Sequence, residues 1–74
     1  MDFELQNIPE DPYLINVVYK SFRIGQAMFS GSIWKYRIDG NPTFSSHSYE
    51  SAMDAGHGLL NEIGDIEKFV YGIS

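Results

Sequence analysis

The block from Ile33 to Gly64 constrains this chain more than any other part of it. Ile33-Trp34-Lys35-Tyr36-Arg37-Ile38 alternates apolar and basic side chains, the period of two that marks a strand with one dry face and one wet face. Asp39-Gly40 follows, and glycine supplies the positive φ that a tight turn between strands requires. Pro42 has no amide hydrogen to give to a ladder. The run Thr43 to Ser46 therefore reads as a short third strand that starts beside the proline or lies at an edge. Ser48 reads as a helix N-cap with Glu50 in the first turn, where the helix dipole favours a carboxylate. Ala52, Ala55, Gly56, Leu59 and Ile63 then recur at three- and four-residue steps, and Gly64 stands where helices end on glycine. Strands followed by an amphipathic helix bury their apolar faces by laying the helix on the sheet. The expected fold is α+β: a three-stranded antiparallel sheet, its order open, with one main helix packed on one face and a short C-terminal helix.

The rest of the chain is fitted to that frame. Tyr13 to Phe29 is rich in β-branched and aromatic residues, and the first strand is expected between Val17 and Phe29, with Gly25 as a bulge or bend. Ser30-Gly31-Ser32 is a turn. Pro9 and Pro12 bracket Glu10-Asp11, so residues 1–12 are expected to be an irregular arm and 13–74 a single β-β-β-α domain. Asp65 is placed to cap a last helix through Tyr71, with Ile66, Phe69 and Val70 on its apolar side and Gly72 as its stop. Gly56 is explained by close packing of helix on sheet. Gly58 weakens the helix by about 1 kcal/mol relative to alanine, with no reason visible in the sequence.

A chain of 74 residues makes one domain, and without cysteine no disulfide can brace it and no thiolate can hold zinc. Five Tyr, five Phe and one Trp must then carry much of the core, and a homodimer is a second route to stability. No stretch approaches the roughly 20 apolar residues of a membrane helix. Met1-Asp2-Phe3-Glu4-Leu5 lacks the basic and apolar regions of a signal peptide. A cytoplasmic protein with no membrane partner is expected.

The net charge of −5 is unevenly spread. Residues 1–12 sum to −4, residues 13–44 to +3 and residues 45–74 to −4. The sheet is thus expected to be basic and the helical side acidic. Two candidate surfaces follow. Glu50, Asp54, Glu62, Asp65 and Glu67 present carboxylates to a basic partner surface. Alternatively Arg23, Lys35 and Arg37, on the face opposite Trp34, Tyr36 and Ile38, track a phosphate backbone. Each set also reads as the ordinary wet face that any sheet or surface helix needs. An acidic balance opposes non-specific nucleic-acid binding.

Catalysis is not expected. His47 and His57 stand ten residues apart, not at the i,i+4 spacing of a helical metal pair, and read as surface or cap residues. Ser45, Ser46 and Ser48 surround His47 without a Gly-x-Ser-x-Gly elbow. Gly56-His57-Gly58 lies within the helix and lacks the pattern of a phosphate loop. Carboxylates pair for acid–base work only in a cleft, and a small domain with ten of them still has little volume for one. No metal or cofactor is implied.

Tyr19, Phe22 and Ile24; Trp34, Tyr36 and Ile38; Gly40; and Ser48, Ala52 and Ala55 together resemble a loose group of small bacterial and phage proteins of β-β-β-α layout. The layout is similar to two better understood families, the arm-site DNA-binding domain of tyrosine integrases and the double-stranded-RNA-binding-like domain of HicB antitoxins. In size and acidity the chain also resembles phage-encoded inhibitors of host defence, including anti-CRISPR proteins. That resemblance implies a non-catalytic module that binds another protein, or a nucleoprotein complex, and occludes its site. The integrase likeness implies nucleic-acid binding by the basic sheet face. A purely structural or dimerising domain is the third expectation.

Overall fold

A computed structural model, describing residues 3–72, contains four strands and two helices. They are β1 (Glu4–Ile8), β2 (Asp11–Tyr19), β3 (Phe22–Ser30), β4 (Ile33–Ile38), α1 (Ala52–Ile63) and α2 (Ile66–Tyr71). The strands form one antiparallel sheet in the order β1-β2-β3-β4, a simple meander. The α+β class with helix on sheet is as expected, but the sheet has four strands, and the expected strand at Thr43 to Ser46 is not among them.

The extra strand lies in the expected arm. Phe3 and Leu5 are half-buried while Glu4 and Gln6 are exposed, and Leu5 stands opposite Val17. Pro9 does not keep the segment irregular. With Glu10 it makes the two-residue turn between Ile8 and Asp11, a place that suits its fixed φ. Pro12 lies where neither neighbouring ladder asks β2 for a partner, so its missing amide costs nothing.

The stretch Val17 to Phe29 is two strands. The chain reverses at Lys20-Ser21, with φ of 48° and 73°, the double left-handed pattern of a type I′ hairpin. Such turns usually take Asn or Gly, so nothing in Lys-Ser announces one. Holding two non-glycine residues there stores strain. We expect Ser21→Gly to stabilise the fold by about 1 kcal/mol. Urea unfolding would show it as a higher midpoint at unchanged slope; a lower midpoint would mean the turn is not strained.

Gly25 does mark a bulge. Val17 pairs with Gly25 and Val18 with Arg23, leaving Ile24 as the extra residue. The bulge lets Ile24, fully buried, enter the core beside Gly25. The core lies between one sheet face and α1, which packs chiefly on β4 and β3. Val17, Tyr19, Ile24, Ala27 and Tyr36 meet Ala55, Leu59 and Leu60, with Ile66 of α2 closing one end.

The segment after β4 covers the sheet edge without becoming a strand. Asn41 N–H donates to the Ile38 carbonyl (2.9 Å), closing a turn in which Gly40 has φ 91°. Ser45 N–H donates to the Tyr36 carbonyl (2.7 Å), and Tyr36 N–H donates to Ser45 Oγ (3.2 Å). Trp34 and Tyr49 exchange two backbone bonds of 2.7 and 2.8 Å. Side chains of Asn41 and Ser45 bond locally and displace the regular ladder. Because Tyr49 must stay extended to reach Trp34, the helix cannot start at Ser48. Ser51 is the N-cap, accepting from Asp54 N–H at 3.0 Å. Gly64 (φ 77°) ends α1, and Asp65 and Gly72 cap α2 as expected.

Candidate functional site

The register decides what each candidate side chain can do. Gln6, Asn16, Gln26 and Arg37 form one cross-strand row on the sheet face away from α1. Gln26 Nε2 donates to Asn16 Oδ1 (3.1 Å), and Arg37 donates to Gln26 Oε1 (2.6 Å). Arg37 also lies 4.6 Å from the Phe44 ring centroid. Arg23 is on the same face but donates to Asp39 at 3.0 Å. Lys35 makes no ion pair among the described residues. The three expected bases thus share a face. Arg23 is paired, Arg37 is held in a hydrogen-bonded row, and Glu4, opposite Val18, brings negative charge to that face.

The acids divide as well. Asp65 is spent as the cap of α2, accepting from Lys68 N–H at 3.1 Å. Glu67 accepts from Lys20 Nζ at 3.0 Å and from the Tyr19 hydroxyl at 3.4 Å. The bond that Lys20 donates to Glu67 is the main reason the Lys20 ammonium is held above its ordinary range. Glu50 and Asp54 are exposed around the start of α1, where the helix dipole favours them. Glu62, in the last turn of α1, accepts a hydrogen bond from the Tyr36 hydroxyl.

That contact sits in a cleft. A space of about 280 Å³ is lined by Tyr36, Ile38, Asn41, Thr43, Phe44, Ser45, Ser46 and Glu62. The sheet edge forms one wall, the segment that seals it another, and α1 the third. Burial, with the Glu62 carboxylate at its hydroxyl, pushes Tyr36 up from 10.0 to about 12. The folded chain then keeps a proton that the unfolded chain releases near pH 10. This contribution is whole below about pH 10 and is lost as pH rises through about 12. We expect unfolding free energy to fall across that window by on the order of 1 kcal/mol, discounted because the Glu62 end is in water. Tyr36→Phe should flatten the fall. An equal slope in that variant would assign the alkaline loss to another group.

Other expected candidates are placed elsewhere. The Ser45 hydroxyl donates to the main-chain carbonyl of His47 (2.9 Å), a turn contact. His57 packs edge-on to Phe3, with ring centroids 5.1 Å apart. Among the described residues no three His, Cys, Asp or Glu side chains converge to hold a metal. No described helix is long and apolar enough to cross a membrane.

The cleft is not legible in the sequence, because it depends on Ser45 returning to Tyr36 across nine residues. An aromatic row on the helix side is equally hidden, because it joins three strands. Tyr13 stacks on Phe29 with centroids 6.4 Å apart, and Phe29 meets Trp34 at 5.2 Å. Tyr13 is 60% exposed, so the row runs out from the core to the surface. In comparisons with protein-family models, curated proteins and solved structures, nothing matches the chain.

Proposed function

We propose that this chain is a non-catalytic protein-binding module of the phage-inhibitor kind. It would block a host-defence or other nucleoprotein complex by occupying a basic surface which that complex keeps for nucleic acid. One observation supports this reading above the alternatives: two of the three bases on the sheet face are engaged within the fold, leaving Lys35, while the Glu50 and Asp54 carboxylates are not engaged among the described residues. Arg23 is paired with Asp39 and Arg37 is bonded to Gln26. Glu50 and Asp54 face solvent, and Glu62 opens on a cleft. Electrostatic complementarity of this sign steers a basic partner and repels nucleic acid. Because Asp65 and Glu67 serve the fold, the contact is assigned to Glu50, Asp54 and Glu62.

The test is capture of partners by tagged protein from a bacterial lysate, with and without nuclease. The reading expects a stoichiometric protein that survives nuclease, is lost with Glu50→Lys/Asp54→Lys, and is retained with Lys35→Glu. Recovery of nucleic acid, lost with Lys35→Glu/Arg37→Glu and steeply weakened by salt, would replace it with nucleic-acid binding by the sheet face.

A further inference from the structure

We propose that the cleft between β4, residues 41–46 and the end of α1 receives an arginine side chain of a partner protein, with Glu62 as its counter-ion. This rests on the protein-binding reading and names the chemistry of one contact within it.

Size comes first. The cleft, about 280 Å³, is just below the roughly 300 Å³ at which small-molecule pockets begin. It suits one long side chain better than a cofactor. Charge comes next. Glu62 is the one charged residue in the lining, so an anion is repelled. A purely apolar occupant would strand the carboxylate against a dry surface. Glu62 Oε1 already accepts from Tyr36, while Oε2 has no partner among the described residues. An ionised carboxylate has about four acceptor positions, so most of its capacity is open.

The walls select further. Ile38 and the Tyr36 ring are apolar and face a stem of methylenes, while the Phe44 ring already carries Arg37 and closes the far side. Ser45 is committed to Tyr36 N–H and the His47 carbonyl, and Asn41 Oδ1 to Thr43 N–H. Thr43 and Ser46 also line the cleft. A planar guanidinium lies flat on aromatic surfaces and forks onto a carboxylate, whereas an ammonium does neither as well.

The experiment uses the full chain, labelled with 15N and titrated with N-acetyl-arginine amide. The expected result is saturable amide shifts confined to Tyr36–Ser46 and the residues around Glu62. The neutral isostere N-acetyl-citrulline amide should give none. Glu62→Gln, whose amide oxygen still accepts from Tyr36, should weaken binding by about tenfold or more, and Glu4→Gln, on the far sheet face, should leave it unchanged. Absence of shifts, equal shifts with citrulline, or shifts that follow Glu50 and Asp54 would overturn the inference. The two readings fail separately. Arginine binding by a chain that captures no protein would uphold the cleft and sink the binding module. A captured protein that holds equally well to Glu62→Gln would do the reverse.

Discussion

Gly25→Ala is expected to cost about 3 kcal/mol, more than the same methyl costs at any other glycine of the helix–sheet interface. A Cβ on Gly25 would collide with the Arg37 carbonyl oxygen and lie 2.5 Å from Leu59 Cδ1. The first obstacle is the backbone of the paired strand, and the second is a fully buried side chain. Neither can give way without moving β4 or α1. Two other glycines meet softer neighbours. A Cβ on Gly56 would meet the Phe3 ring at 2.5 Å. That ring belongs to a half-buried residue just outside β1, and a helical alanine gains about 1 kcal/mol over glycine. Gly56→Ala should therefore be near neutral. A Cβ on Gly58 would meet the end of the Tyr49 side chain, whose backbone is pinned to Trp34. Its ring can only turn aside, and a net cost of about 1 kcal/mol is expected. In a domain this small each kcal/mol lowers Tm by roughly 4–8 °C, so thermal unfolding ranks the three variants easily. Gly25→Ala within 1 kcal/mol of the parent chain, or costing less than Gly58→Ala, would mean that the helix is not seated on the bulge.

Gly58 illustrates what the sequence conveys and what it withholds. Local patterns were enough for β4 and its two faces, for the helical stripe of Ala55 and Leu59, and for the stops at Gly64 and Gly72. Each of these is written within one turn or one strand. Features that depend on where the chain returns were not legible. Tyr49 lies on Gly58 only because Tyr49 first pairs with Trp34, and the same pairing moves the helix cap from Ser48 to Ser51. With serines at 46, 48 and 51, spacing alone cannot choose among them. β1 was hidden by two prolines that prove compatible with a turn and with an unpartnered strand position. The Lys20-Ser21 hairpin was hidden by the absence of glycine or asparagine. For the candidate surfaces, alternation correctly separates Lys35 and Arg37 from Trp34 and Tyr36. It cannot reveal that Arg23 meets Asp39, since that needs the β3–β4 register. Nor can it reveal that Asp65 and Glu67 are used by the fold while Glu62 stands over a cleft.

Leu59→Ala should be the second most damaging single change, at about 3 kcal/mol or somewhat less. Leu59 is among the largest fully buried side chains, and truncating it leaves a void between α1 and the bulge. Chains of this length have stabilities of about 4–11 kcal/mol at the usual value per residue, so the loss takes a large share of the whole. Met53→Ala, on the same helix but at a residue 47% exposed, should cost under about 1 kcal/mol. The pair tests whether stability and the cleft depend on one contact. Glu62 reaches Tyr36 only while the last turn of α1 is held on the sheet, so Leu59→Ala should weaken N-acetyl-arginine amide binding and Met53→Ala should not. Coupling gives a sharper check. In the Leu59→Ala background the methyl of Gly25→Ala loses one of its two obstacles but still meets the Arg37 carbonyl. The double variant should then be less damaged than the two single costs together imply, yet clearly worse than Leu59→Ala alone. Full additivity in urea unfolding would place the two residues in separate parts of the core.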